Sequence, residues 1–227
     1  MKSKLILYLW CMCTFSACTS SGKGGKEETL YSGEIRIAVD ESFKPIMEEE
    51  LQVYHALTPE ALITPIYCSE VEAVNLLLKD SVRLAVTNRR LTEEELISFH
   101  TRKFFPESIL MALSGVALIT HHSNPDSLIT VEEFRRIATG ETTEWKGLNP
   151  DSKLGCIQVV FDNPNSGTVH YVIDSICQGK PLSPSLKALK SNEEVIDYVA
   201  TTPDALGVIG ANWIGNKTDT TLSLIHI

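Results

Sequence analysis

Four short stretches of this 227-residue chain set small hydroxyl side chains beside the start of a helical pattern. They are Asp40-Glu41-Ser42-Phe43, Cys68-Ser69-Glu70, Thr87-Asn88-Arg89, and the longer run from Phe161 through Asp162 and Asn165 to Ser166-Gly167-Thr168. A helix begins with backbone N–H groups that no intrahelical carbonyl satisfies, and these form the positive end of the helix dipole. A neighbouring serine or threonine adds an O–H donor. The chemistry such sets serve is the capture of an oxyanion by hydrogen bonds. Each has a plainer reading as well. Ser42, Ser69 and Ser166 can act only as N-caps. Asp162-Asn163-Pro164-Asn165 is good turn chemistry, and Arg89 is either a solvated charge or the cation of an anion site.

The elements that must position these stretches alternate along the chain. Glu34 to Val39 alternates Ile35, Ile37 and Val39 with Arg36 and Ala38, which predicts a strand. Phe43 to Leu57 has helical periodicity, and Ala61 to Tyr67 predicts a second strand. Ser69 with Glu72, Thr92 with Glu95, Thr130 with Glu133 and Ser191 with Glu194 all have capping-box spacing. Val82 to Thr87, Ile109 to Leu113, Val116 to Thr120, Ile157 to Phe161 and Leu206 to Ile209 complete the strands. Strand–helix pairs in this order imply α/β lobes built on parallel sheets with helices on their faces. Ser114-Gly115 is the expected crossing point, giving a first lobe over 33–114 and a second over 115–213. In open sheets of this kind ligands bind at the carboxyl ends of strands, where all four stretches fall.

Composition narrows the partners. The chain carries a net charge of −9 and no basic block, so bulk charge does not recruit nucleic acid. An anion must be held by local dipoles against a repelling overall field. A phosphatase-like hydrolase using Ser42 or Ser166 as nucleophile is the enzymatic alternative. No G-x-S-x-G elbow or metal set supports it, and no histidine is placed by spacing beside either serine. His170 is read as solvent-facing or packed, and His121-His122 has no carboxylate cluster to complete a metal site. No cofactor is expected.

The two ends read differently from the middle. Lys2 and Lys4 precede an apolar run from Leu5 to Phe15 and then Ser16-Ala17-Cys18, the pattern of a signal peptide over 1–17. The site resembles a bacterial lipobox, which implies a lipid on Cys18 and a polar tether over 18–32. Cys68, Cys156 and Cys177 then remain, an odd number, read as free thiols with one disulfide possible. The segment 214–227 is expected to be a truncated return to the first lobe. Its last six residues, Leu222 to Ile227, read like a translated sequencing adapter.

The S-F pair after the first strand, S-G-T opening a helix, V-A-L-I-T, G-E-T-T-E-W-K-G-L and A-L-G-V-I-G occur in an order that resembles the phosphate-binding proteins of ABC transporters. The resemblance covers Glu34 to Trp213. It implies a two-lobed, type II-like periplasmic-binding-protein fold that binds phosphate or a similar oxyanion and delivers it to permease subunits. It further implies a monomer outside the cytoplasm, lipid-anchored and facing the periplasm. An envelope lipoprotein using the fold as anchor or sensor is the other alternative. Carried over residue by residue, the resemblance implies anion contacts from Ser42, the Phe43 amide, Ser69, Ser166, Gly167 and Thr168. Asn88 stands where that family often has an aspartate, and Asp162 where it often has an arginine. If the acidic acceptor has changed lobes, Asp162 takes that role and Arg89 supplies the cation.

Overall fold

The computed structural model describes residues 29, 31–214 and 222–225. The signal segment, Cys18 and most of the tether lie outside the described residues. The first lobe is a parallel three-stranded sheet in the order β2-β1-β3, with β1 at Gly33–Asp40, β2 at Ala61–Cys68 and β3 at Ala85–Val86. Its helices are α1 (Lys44–Leu57), α2 (Glu70–Leu78) and α3 (Glu93–Thr101). A short 3-10 turn, Glu41–Phe43, links β1 to α1. Thr92 and Glu95 close a reciprocal capping box at the start of α3. The core here is thin, with Ala38, Ala73 and Val82 at its centre.

The second lobe carries more of the apolar mass. Its strands are β4 (Val116–His121), β5 (Gln158–Phe161), β6 (Lys187–Ala188), β7 (Ala205–Gly210) and β8 (Leu222–Ile225), in the order β6-β5-β7-β4-β8. Helices α4 (Val131–Ala138), α5 (Gly167–Tyr171, continued by a π turn over Val172–Ile176) and α6 (Asn192–Thr201) cover it. Phe134, Ile137 and Ala138, at helical spacing, turn α4 into one core with Trp145, Leu118 and Leu206. Ile119, Val160, Val195 and Val199 pack the other face. Trp145 is fully buried and donates its indole N–H to the Asp204 carbonyl at 3.1 Å, so the W-K-G-L loop is an anchor for the lobe.

Two expectations are corrected. The second sheet is mixed: β5 runs parallel to β6 and β7, but β4 pairs antiparallel with β7 and with β8. Alternation of strand and helix patterns reports the elements but not the direction in which distant strands meet. Ile109 to Leu113 is not a strand. These residues have no hydrogen-bonded neighbour strand among the described residues, and Leu113 is 90% exposed. Apolar character alone does not make a strand when no edge is offered to pair with. Leu222–Ile225, within the tail read as adapter-derived, lies beside β4 at the sheet edge.

Candidate functional site

Both sheets point the carboxyl ends of a strand at the same junction. β1 ends at Asp40, whose carboxylate accepts the Ser42 N–H and turns the chain into the 3-10 turn. β5 ends at Phe161, and the Asp162–Asn165 turn delivers Ser166 as the N-cap of α5. Ser166 Oγ accepts the Val169 N–H at 3.2 Å. Between these ends lies a cavity of about 40 Å³. Ser42 and Asn88 line it from the first lobe, Gly167, Thr168, Tyr171 and Gly210 from the second, and Ser114-Gly115 from the segment just before β4. Ser42 and Thr168 are both buried.

The other residues singled out from sequence stand around this cavity and are not among its lining. Phe43 and Arg89 line a wider groove of about 1120 Å³ that runs on from Asn88, Gly167 and His170 along 106–115. Ser69 caps α2, accepting the Glu72 N–H at 3.3 Å. Asp162 is 1% exposed. Its Oδ1 accepts the Ser166 hydroxyl at 2.7 Å and its Oδ2 the Asn192 amide at 3.1 Å. The Arg89 guanidinium forks onto both Glu95 oxygens at 2.8 Å, and its Nε lies 3.5 Å from Glu70. Ser166 therefore spends its hydroxyl proton on Asp162, and Arg89 is paired with two carboxylates of its own lobe.

Sequence reasoning gave no role to the carboxylates that join the lobes. Asp40 Oδ2 accepts the Gly167 N–H at 3.0 Å. Glu41 Oε2 accepts the Asn192 side-chain amide at 2.6 Å and its backbone N–H at 3.3 Å. Glu70 Oε2 lies 2.7 Å from His170 Nδ1, while its Oε1 accepts the Asn88 N–H at 3.0 Å. His170, read from sequence as solvent-facing or packed, instead bridges to the opposite lobe. An acid closing a strand just before a serine was visible at Asp40. Nothing in spacing links position 40 to 167, or 70 to 170.

Burying these acids together has an electrostatic cost. Desolvation lifts the Asp40 carboxyl above its ordinary value, only partly offset by the Ser42 and Gly167 hydrogen bonds, and the nearby Glu70 charge adds to the rise. Burial also raises Glu41, against the lowering effect of Asn192. Asp162 is pushed up to about 6, chiefly by desolvation, with Asp40 and Glu41 contributing. Glu95 moves the other way, lowered by its hydrogen bonds from Arg89. Among the described residues no group of three or more His, Cys, Asp or Glu side chains could hold a metal ion.

The lobes come together closely. A Cβ at Gly167 would fall 1.8 Å from Asn88 Nδ2 and 2.7 Å from Asp40 Oδ2. At Gly210 it would lie 3.1 Å from the Ser42 carbonyl. Neither residue has a positive φ, so glycine serves packing here and not backbone conformation, most tightly at Gly167.

Comparison with known proteins bears on the fold that carries this junction. The family model described as the PBP superfamily domain matches residues 24–224. The phosphate-binding protein PstS of Borreliella burgdorferi is 24% identical over 203 residues, covering 85% of this chain and 69% of that protein. Among solved structures, a substrate-binding protein from Clostridium perfringens with bound phosphate superposes with a TM-score of 0.73 at 21% identity, covering 85% of this chain and 75% of the other. An ABC-type phosphate transport receptor from Vibrio cholerae superposes with a TM-score of 0.60 at 23% identity, covering 85% and 75%. At these identities the superpositions establish the shared two-lobed fold. With the family model spanning nearly all the described residues, the chain belongs to the PBP superfamily.

Proposed function

We propose that the chain binds phosphate, or a similar tetrahedral oxyanion, in the inter-lobe cavity and delivers it to the permease subunits of an ABC-type transporter. The observation that carries this reading is the convergence of Ser42 and Asn88 with Gly167 and Thr168, from opposite lobes, on one small cavity. Contacts from both lobes make ligand binding and lobe closure one event, which a transporter can sense. The matched phosphate-binding protein of Borreliella burgdorferi and the phosphate-bound protein of Clostridium perfringens support phosphate as the anion. Ser42, Asn88, Gly167 and Thr168 meet the anion. Ser69, Arg89, Asp162 and Ser166 hold the surrounding segments in place, and Phe43 lines the wider groove.

On this reading the chain is a carrier and not an enzyme. It works as a monomer outside the cytoplasm, held to the membrane by lipid on Cys18 and needing no cofactor. Isothermal calorimetry of the chain with phosphate, sulfate and molybdate tests it. Saturable phosphate binding that is stronger than sulfate binding is expected. Heats indistinguishable from dilution for all three anions would remove the reading.

A further inference from the structure

The start of α2, read from sequence as an anion contact through Ser69, is turned toward the second lobe instead. Ser69 is spent as the N-cap of its own helix. The next two residues both cross the junction. Val71 donates its backbone N–H to the Asn165 carbonyl at 3.5 Å, and Glu70 Oε2 lies 2.7 Å from His170 Nδ1. A carboxylate only accepts, so Nδ1 carries the proton between them.

Glu70 is held ready for this contact by its own lobe. Its side chain is fully buried, its Oε1 accepts the Asn88 N–H at 3.0 Å, and Arg89 Nε lies 3.5 Å from its Oε2. An acceptor already fixed in place loses little freedom when its donor arrives. The two partners also belong to the two walls of the cavity. Asn88 lines it from the first lobe, and His170 rides on α5, whose first residues Gly167 and Thr168 line it from the second. Drawing Gly167 and Thr168 away from Asn88 therefore draws His170 off Glu70.

We propose that Glu70 and His170 form a clasp that is made as the lobes close over the oxyanion, and that His170 is a positioning residue that sets how long the ligand is held without touching it. This rests on the reading of the cavity as an oxyanion site. A contact present only in the closed, liganded form adds to the ligand's affinity. It does so by slowing release, because it forms after capture.

Calorimetry and a rapid-filtration chase of radiolabelled inorganic phosphate test this on the full chain. His170→Ala should weaken binding at least about fivefold, with the whole loss in the release rate, because a hydrogen bond to a charged group is lost. His170→Asn sets an amide N–H near the place of Nδ1 and should stay within about twofold of wild type. Glu70→Gln should weaken binding by itself and add less than about twofold to His170→Ala, as for two members of one contact. The two His170 variants decide the matter if Glu70→Gln does not fold. Wild-type release from His170→Ala would overturn the proposal. An equal loss in His170→Ala and His170→Asn would overturn it too, since the ring would then act only by packing. No phosphate binding by wild type or any variant would remove the oxyanion reading, and the clasp with it.

Discussion

The Asp40 carboxylate accepts the Gly167 N–H at 3.0 Å although 127 positions separate them in the chain. Residue 167 has no side chain, and a Cβ there would crowd both the Asn88 amide and the Asp40 carboxylate, so these groups would have to move. Gly167→Ala should therefore hold the lobes apart. We expect at least a tenfold loss of phosphate affinity by calorimetry, with a melting temperature close to wild type, because the added methyl meets the junction and not the interior of either lobe. Unchanged affinity would show that the junction can yield.

Removing hydroxyls from both sides of the cavity tests the anion site directly. Thr168→Ala should cost about 1–3 kcal/mol of binding, the range for losing a hydrogen bond to a charged group. The double change Ser42→Ala with Thr168→Ala should cost more than either alone, because the two come from opposite lobes. Wild-type affinity in the double variant would exclude the cavity as the site.

Asp162 sets a pH dependence. Burial raises its carboxyl from 3.8 to about 6, so the folded protein holds this proton more tightly than the unfolded chain. The associated stability is fully present below about pH 4 and is lost as pH rises through 6, a change of about 3 kcal/mol. Asp162→Asn abolishes this loss. Urea unfolding at pH 4 and pH 7 should show the variant gaining on wild type between the two, while a constant gap would mean the carboxyl titrates normally. The phosphate-to-sulfate ratio should stay unchanged, since Asp162 faces Ser166 and Asn192. A relaxed ratio would instead make Asp162 the acceptor of a protonated ligand oxygen.

Arg89 is expected to matter for stability more than for the anion. Its guanidinium joins Glu95 to the fully buried Glu70. In Arg89→Ala the Glu70 charge keeps only its Asn88 and His170 contacts. A stability loss of about 1–3 kcal/mol by urea unfolding is expected, as for a buried charged group that loses a partner. Phosphate affinity should change less than threefold. A larger loss of affinity at unchanged stability would return Arg89 to the site.

At the N-terminus, Cys18→Ser should abolish metabolic labelling with palmitate in a bacterial host and shift the protein to a soluble or unprocessed form. Labelling that survives the substitution would mean that the lipid, if present, is elsewhere.

Much of the fold was legible because its determinants are local. β1 forms where Ile35, Ile37 and Val39 alternate, although its second half buries Ala38 together with Ile37 and Val39 and leaves Ile35 exposed, while the Thr92–Glu95 and Thr130–Glu133 pairs cap α3 and α4 as their spacing predicts. The Ser166-Gly167-Thr168 segment opens a helix after a strand for the same reason. Ile109 to Leu113 failed because strand formation depends on a partner, and hydropathy does not report whether one exists. The antiparallel β4 was missed on similar grounds, since Leu118 meets Val208 across 90 positions of chain.

The sequence by itself determined which segments begin helices, which strands carry apolar faces, and therefore where free amides and hydroxyls gather. Those are short-range consequences of backbone hydrogen bonding and side-chain periodicity. Only the tertiary structure decided which of these groups share a cavity and which are spent elsewhere. Ser42, Asn88, Gly167 and Thr168 meet because two separate sheets bring their strand ends together. Ser166 and Arg89 are drawn to Asp162 and Glu95, the carboxylates that lie within hydrogen-bond reach. Asp40, unremarkable as the last residue of a strand, reaches the opposite lobe because a buried carboxylate must find donors, and Gly167 presents one at 3.0 Å.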